Sequence, residues 1–149
     1  MAKASFTDRA LGKLTWGTNG WGFTFTLATG REGRGTIIAS APDPRPTAEC
    51  LTAVRDYIRW FRRNDSTLRA RIADAMFAGW RKAWYDPEID RTKTRLGFQR
   101  KINIAGINFY WGERWVSVVY NDGGLYGGHG IELATDWAGA IDGAPTMFG

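Results

Sequence analysis

The only histidine of the chain, His129, is a side chain whose ordinary pKa lies near neutral pH. It stands between two glycines in the stretch "NDGGLYGGHGIELATDW". Nucleophilic catalysis would need a serine or cysteine beside it, and the sequence identifies no such partner. The glycines and Asn121-Asp122 predict a turn at residues 121–124, followed at once by a strand that contains His129. The alternatives are a strand histidine bonded to a neighbouring carbonyl or carboxylate, a ligand-binding residue and a catalytic one.

Arginines form the second set of candidates. Arg31 and Arg34 lie in "GREGRGT", which lacks the lysine and the following helix of a phosphate-binding loop and therefore predicts a basic hairpin loop. Arg59 and Arg63 are predicted on the polar side of a helix. Because guanidinium groups bind carboxylates and phosphates in a planar, bidentate way, all four are candidate contacts for an anionic partner.

The charge of the chain is unevenly distributed. The net charge is +5; residues 45–101 carry 14 basic and 7 acidic side chains, whereas residues 102–149 carry 1 and 5. This asymmetry predicts one basic surface and one neutral or acidic surface. The basic surface would bind an acidic protein or a nucleic acid, although no helix-turn-helix, RNA-recognition or zinc-finger motif is present.

Length and composition predict a single domain spanning residues 1–149. With one cysteine, Cys50, no internal disulfide can form, and no Cys/His cluster is present that could hold zinc, so no metal or cofactor is expected. The first residues lack the apolar run of a signal peptide, and no apolar stretch approaches the ~20 residues of a membrane span. A cytoplasmic protein is expected.

Alternating apolar residues around Asn19-Gly20 predict a hairpin, and three antiparallel strands in all before the proline-rich connector at 41–46. Helical spacing then predicts two helices, the first from Pro46 to "RRND" and the second capped by Asp65 or Ser66. After a polar loop at 85–97, alternation predicts an antiparallel meander of four or five strands, with a bend or bulge at Gly106. The expected fold is α+β, with an antiparallel helix pair packed on one face of an antiparallel sheet.

The chain is rich in aromatic residues, with eight tryptophans. Six aromatic residues are predicted to pack in the core: Trp16, Trp21, Phe23, Phe25, Trp80 and Trp84. We expect that four further aromatic residues do not all fit in the core: Tyr110, Trp115, Tyr120 and Tyr126. Since tryptophan and tyrosine dominate interface hot spots, Trp115 and Tyr126 are predicted to contribute to binding.

The C-terminal part resembles a family of small bacterial proteins known as a domain of unknown function. The resemblance covers residues 66–149 and is strongest in a strand motif, Asp-Gly-x-Leu-aromatic-x-Gly-His-x-Ile. It includes Asp122, Gly123, Leu125, Tyr126, Gly128, His129, Ile131, Gly139 and Gly149, while Gly127 replaces the aromatic residue usual in the family. The resemblance implies a bacterial source and, by association with toxin genes, an immunity-type role in some members.

Because the sequence shows no paired catalytic groups, these features argue against an enzyme and favour a binding protein. The resemblance suggests an immunity-type protein that binds a toxin or another protein. The alternatives are a nucleic-acid-binding module that uses the arginine-rich helices and a small-ligand binder or enzyme centred on His129. The predicted binding residues are His129, Asp122, Tyr126, Trp115, Arg31, Arg34, Arg59 and Arg63. Whether the chain forms oligomers is left open by the sequence.

Overall fold

A computed structural model describes residues 2–149, which form one eight-stranded sheet and two helices. The elements are β1 (Ser5–Asp8), β2 (Gly12–Trp16), β3 (Gly20–Thr26), β4 (Glu32–Ile38), α1 (Ala48–Ala83), α2 (Arg95–Lys101), β5 (Asn103–Tyr110), β6 (Trp115–Asn121), β7 (Gly130–Asp136) and β8 (Thr146–Phe148). The predicted α+β class is thereby confirmed.

The strands lie in the sheet in chain order, and all neighbours are antiparallel except β4 and β5. These two run parallel because α1 and α2 carry the chain across one face before β5 begins. The prediction of three N-terminal strands is wrong, because an additional strand, β1, pairs with β2 and packs Phe6 against Trp21 at a ring distance of 4.9 Å. The predicted irregularity at Gly106 is confirmed by a register shift between Ile104 and Gly106.

The predicted break at "RRND" is wrong, because α1 runs for 36 residues without interruption. Its side chains keep their helical period across the expected break, with Phe61 and Leu68 both buried. Asp65 does not cap a new helix, because its carboxylate accepts hydrogen bonds from Arg69 and from Tyr120 on the sheet. A helix does begin near the predicted start, where the Thr47 hydroxyl accepts the N–H of Cys50.

Helix α1 packs its apolar side on one face of the sheet. The Tyr57 hydroxyl lies 2.7 Å from the Thr135 hydroxyl of β7, and its ring packs edge-on against Phe109 of β5. Cys50 is buried on the same side, and burial raises the pKa of its thiol to about 11, as expected of an unreactive thiol. Neither helix of residues 2–149 has an apolar stretch long enough to cross a membrane.

The placement of Trp84 in the core was wrong. The residue follows the last turn of α1, and 45% of its surface is exposed. Tyr120 and Tyr126 are buried, whereas Tyr110 and Trp115 are only partly buried and stack on each other at 4.2 Å. The prediction that the four aromatic residues do not all fit inside therefore agrees with the structure.

Candidate functional site

The segment Asp122–His129, here called the β6–β7 loop, connects two neighbouring strands. The predicted strand starting directly after Gly124 is wrong, because β7 begins only at Gly130. Four glycines of the loop adopt positive φ angles, a backbone geometry that an extended strand does not use: Gly123, Gly124, Gly127 and Gly128. His129 therefore lies at the end of an ordered loop and not within the strand.

The carboxylate of Asp122 holds this loop together. Its Oδ1 atom accepts the N–H of Gly124 at 2.8 Å, and its Oδ2 atom accepts three further backbone N–H groups, those of Tyr126 at 2.9 Å, Gly128 at 3.1 Å and His129 at 2.9 Å. The side chain is buried, with 2% of the residue exposed. Burial by itself favours the protonated acid, but the four N–H groups outweigh it and lower the pKa of Asp122 below the ordinary value.

Two contacts fix the β6–β7 loop to the helices. The indole N–H of Trp80, at the end of α1, donates to the carbonyl oxygen of Leu125 at 2.7 Å. Gly123 lies against the end of α2, where a Cβ atom would stand 2.2 Å from the carbonyl oxygen of Lys101. Since its φ angle is also +62°, only glycine fits at this position. The loop is a rigid connection between sheet and helices.

His129 is oriented by the same loop. Its Nδ1 atom bonds to the carbonyl oxygen of Tyr126, and because a carbonyl only accepts, Nδ1 must carry the proton. Nε2 is left unprotonated in the neutral ring, with no hydrogen-bond partner in residues 2–149. Trp84 packs edge-on against both rings, 5.2 Å from Tyr126 and 6.1 Å from His129. This arrangement brings three predicted residues together and can accept a hydrogen bond, but it shows no nucleophile hydrogen-bonded to the imidazole.

Replacing His129 by alanine is expected to lower the free energy of unfolding by about 1 kcal/mol or less. The substitution removes one hydrogen bond to a carbonyl and leaves the bonds from the backbone to Asp122 intact. Urea denaturation of the two proteins measures the difference. A loss of several kcal/mol would show that the imidazole, and not the carboxylate, is what orders the loop.

Three arginines of α1 follow one another at intervals of seven residues, about 10 Å apart along the helix axis. We call Arg55, Arg62 and Arg69 the arginine row. In each, the Nε atom donates to a protein acceptor: the carbonyl oxygen of Leu51 at 3.2 Å, that of Thr26 at 3.0 Å, and the carboxylate of Asp65 at 3.1 Å, respectively. The guanidinium groups are therefore held in place before any partner binds.

The arginine row borders two depressions of the surface. The smaller, about 80 Å³, is lined by Arg55, Arg59 and Arg62 together with residues of the β1–β2 turn. The larger, about 210 Å³, is lined by Arg31, Arg69 and Arg100, and is here called the three-arginine cavity. Two of the predicted residues, Arg59 and Arg31, thus line the smaller and the larger depression respectively. The arginine row together with Arg59, all on α1, is here called the basic edge.

The remaining predicted residues lie apart from both sites. Arg34 points to the sheet face opposite α1, where it lines a shallow depression with Lys13 and Lys3. Trp115 is stacked on Tyr110, and its indole N–H donates to Glu113 at 3.0 Å. Arg63 is exposed on α1, one residue and so about 100° around the helix from Arg62.

Sequence reasoning missed four arginines that border the two depressions: Arg55, Arg62, Arg69 and Arg100. The seven-residue spacing of the first three is visible in the sequence, but it indicates one face only if the helix is continuous. The predicted break at residues 62–66 separated Arg69 from the others. No sequence pattern indicated that Arg100 belongs to a site, because the short helix α2 lies in a segment that was predicted partly as a loop.

No protein-family model, curated protein or solved structure shows a significant match to this chain. The resemblance of residues 66–149 to a bacterial family accordingly remains a prediction.

Proposed function

We propose that the chain is a non-catalytic binding protein that uses the basic edge of α1 to bind a partner protein with an acidic contact surface. The observation that carries this proposal is the arginine row, in which each Nε atom is already bonded within the protein. Ordering a flexible side chain on binding costs about 0.5–1.5 kcal/mol. Arginines that are ordered beforehand avoid part of that cost.

The two acidic residues beside the arginine row support the proposal because each already forms an ion pair with an arginine of the row. Asp8 lies 3.6 Å from Arg55, and Asp65 lies 3.1 Å from Arg69. Arg62 has only a backbone carbonyl as its hydrogen-bond partner in residues 2–149, and Arg59 pairs only with the exposed Asp56. The edge thus presents surplus positive charge that an acidic surface would complement.

A protein partner suits this edge better than a single-stranded nucleic acid. Single-stranded nucleic acids are usually bound by basic grooves together with aromatic side chains on which the bases stack. The exposed Trp84, Trp111 and Phe148 do not line either depression of the basic edge. The family resemblance suggests a toxin as the partner, so a toxin domain with an acidic surface is the first candidate.

Capture from a lysate of the source organism tests the proposal with Arg59→Glu/Arg62→Glu. The control, Arg91→Glu/Lys93→Glu, changes the net charge equally at exposed positions in the segment between α1 and α2, outside both depressions. We expect the wild type and the control to retain the same partner after nuclease treatment, and the Arg59/Arg62 variant to lose it. Because both sides are charged, retention should also fall with added salt.

Two results would contradict the proposal. Equal retention by the two variants would place the contact elsewhere on the molecule. Loss of all captured material after nuclease treatment would favour the nucleic-acid alternative. A mobility-shift assay at low salt then checks that alternative directly, since binding to phosphates weakens steeply as salt increases.

A further inference from the structure

The three-arginine cavity brings together side chains from three separate segments. Arg31 comes from the β3–β4 turn, Arg69 from the middle of α1 and Arg100 from the end of α2. The cavity has a volume of about 210 Å³, smaller than the ~300–1,000 Å³ usual for sites that take drug-sized molecules. Any ligand that it encloses must therefore be small.

The single carboxylate of this cavity is already occupied. Asp65 accepts the Tyr120 hydroxyl at 3.0 Å with Oδ1 and the Arg69 Nε atom at 3.1 Å with Oδ2. Its role is thus to hold Arg69. Arg31 and Arg100 have no ion-pair or side-chain hydrogen-bond partner in residues 2–149. Three guanidinium groups against one carboxylate leave a surplus of two positive charges.

The rest of the lining is largely apolar. Leu27, Ile102 and Ile104 contribute to the cavity, and each is at least nine-tenths buried. Ile102 has no exposed surface, whereas Leu27 and Ile104 keep 8% and 6% of theirs, and a ligand that carried only charge would leave this small apolar area uncovered. Burial of apolar surface contributes about 25 cal/mol per Å², so a ligand with a short apolar group beside its anionic group would gain affinity here.

We propose that the three-arginine cavity is a binding site for a small organic phosphate monoester. The phosphate group of such a molecule is close to a dianion at neutral pH and matches the surplus charge of the lining. Its three terminal oxygens can accept from three guanidinium groups, whereas a carboxylate offers two oxygens. The organic group would lie against the small exposed parts of Leu27 and Ile104.

This site shares Arg69 with the arginine row, but its test does not depend on the proposed partner binding. Arg31 and Arg100 lie off the arginine row, and the partner-binding variants at Arg59 and Arg62 leave the cavity lining unchanged. The two proposals can therefore fail separately.

Isothermal titration calorimetry with phenyl phosphate as the probe tests the inference. The test variant is Arg31→Gln/Arg100→Gln, and the control is Arg63→Gln/Arg91→Gln, which removes two positive charges from exposed positions outside the cavity. Inorganic phosphate and phenyl sulfate serve as comparison ligands, the first without an apolar group and the second with a single negative charge. All four substituted arginines are exposed, so both variants are expected to fold.

We expect phenyl phosphate to bind the wild type and the control equally, and the Arg31/Arg100 variant about tenfold more weakly or worse. Inorganic phosphate and phenyl sulfate should both bind the wild type more weakly than phenyl phosphate does. Equal weakening in the two variants would show a non-specific charge effect and overturn the proposal. So would the absence of heat from phenyl phosphate up to about 10 mM, a concentration that detects even millimolar affinity.

Discussion

Replacing Asp122 by asparagine is expected to lower the free energy of unfolding by about 2–4 kcal/mol. The carboxylate uses both oxygens to accept four backbone N–H groups, and asparagine offers only one oxygen. If that oxygen takes the Oδ2 position, the new NH₂ group faces the N–H of Gly124, so two donors oppose each other in a buried place. Alanine removes all four acceptor contacts and should cost at least as much. Urea denaturation at pH 7 measures both losses.

The control for this experiment is Asp142→Asn, an exposed aspartate without a side-chain hydrogen bond in residues 2–149, which should change little. The pH dependence provides a second check. Because the pKa of Asp122 is lowered in the folded state, its stabilisation is complete above the unfolded value of about 3.9 and is lost as pH falls through the lower folded value. The difference in the free energy of unfolding between the wild type and Asp122→Asn should therefore become smaller in acid. A difference in the free energy of unfolding below 1 kcal/mol at pH 7 would mean that the loop is ordered by other contacts.

Replacing Ser66 by proline is expected to destabilise the protein by about 3 kcal/mol or more. Ser66 lies in the middle of the continuous helix α1, where proline removes a backbone hydrogen bond and collides with the carbonyl of Arg62. If the chain instead formed two helices that met at residues 64–66, proline would sit at the first turn of the second helix and be tolerated. This substitution thus distinguishes the observed helix from the predicted pair.

The matched control is Ser66→Ala, which should be neutral or slightly stabilising, because alanine has the higher helix propensity and Ser66 is exposed. Thermal unfolding followed by circular dichroism measures both variants. A melting temperature for Ser66→Pro equal to that of Ser66→Ala would contradict a continuous helix. A kink at this point would also displace Arg69 relative to Arg62 and so disturb the arginine row.

Most of the strands could be predicted from the sequence, because alternation and turn residues are local signals. The exceptions are β1, which was not predicted, and β7, which begins later than predicted. The hairpin at Asn19-Gly20 and the irregularity at Gly106 both follow from such signals. The continuity of α1 could not be predicted in the same way. Asp65 and Ser66 favour a helix start in isolation, and only contacts from Arg69 and the distant Tyr120 give the Asp65 carboxylate another role.

The candidate sites were predicted in part, for a related reason. His129, Asp122 and Tyr126 lie within one short segment, so their proximity could be read directly. The sequence placed Asp122 in a turn and Tyr126 and His129 in the strand after it, because it does not reveal that one carboxylate binds four N–H groups of the same loop. The three-arginine cavity unites arginines that are up to 69 positions apart, Arg31 and Arg100, and no local pattern connects them.

The single parallel pair, β4 with β5, has a consequence for how the chain folds. Every other neighbouring pair of strands is joined by a short connection, so each four-stranded half can assemble locally. The β4–β5 pairing must wait until residues 39–102 have been brought across the sheet, and closing such a long loop costs conformational entropy. Contacts of α1 with both halves would offset that loss of conformational entropy. We therefore expect the union of the two halves, rather than the formation of either, to limit the folding rate.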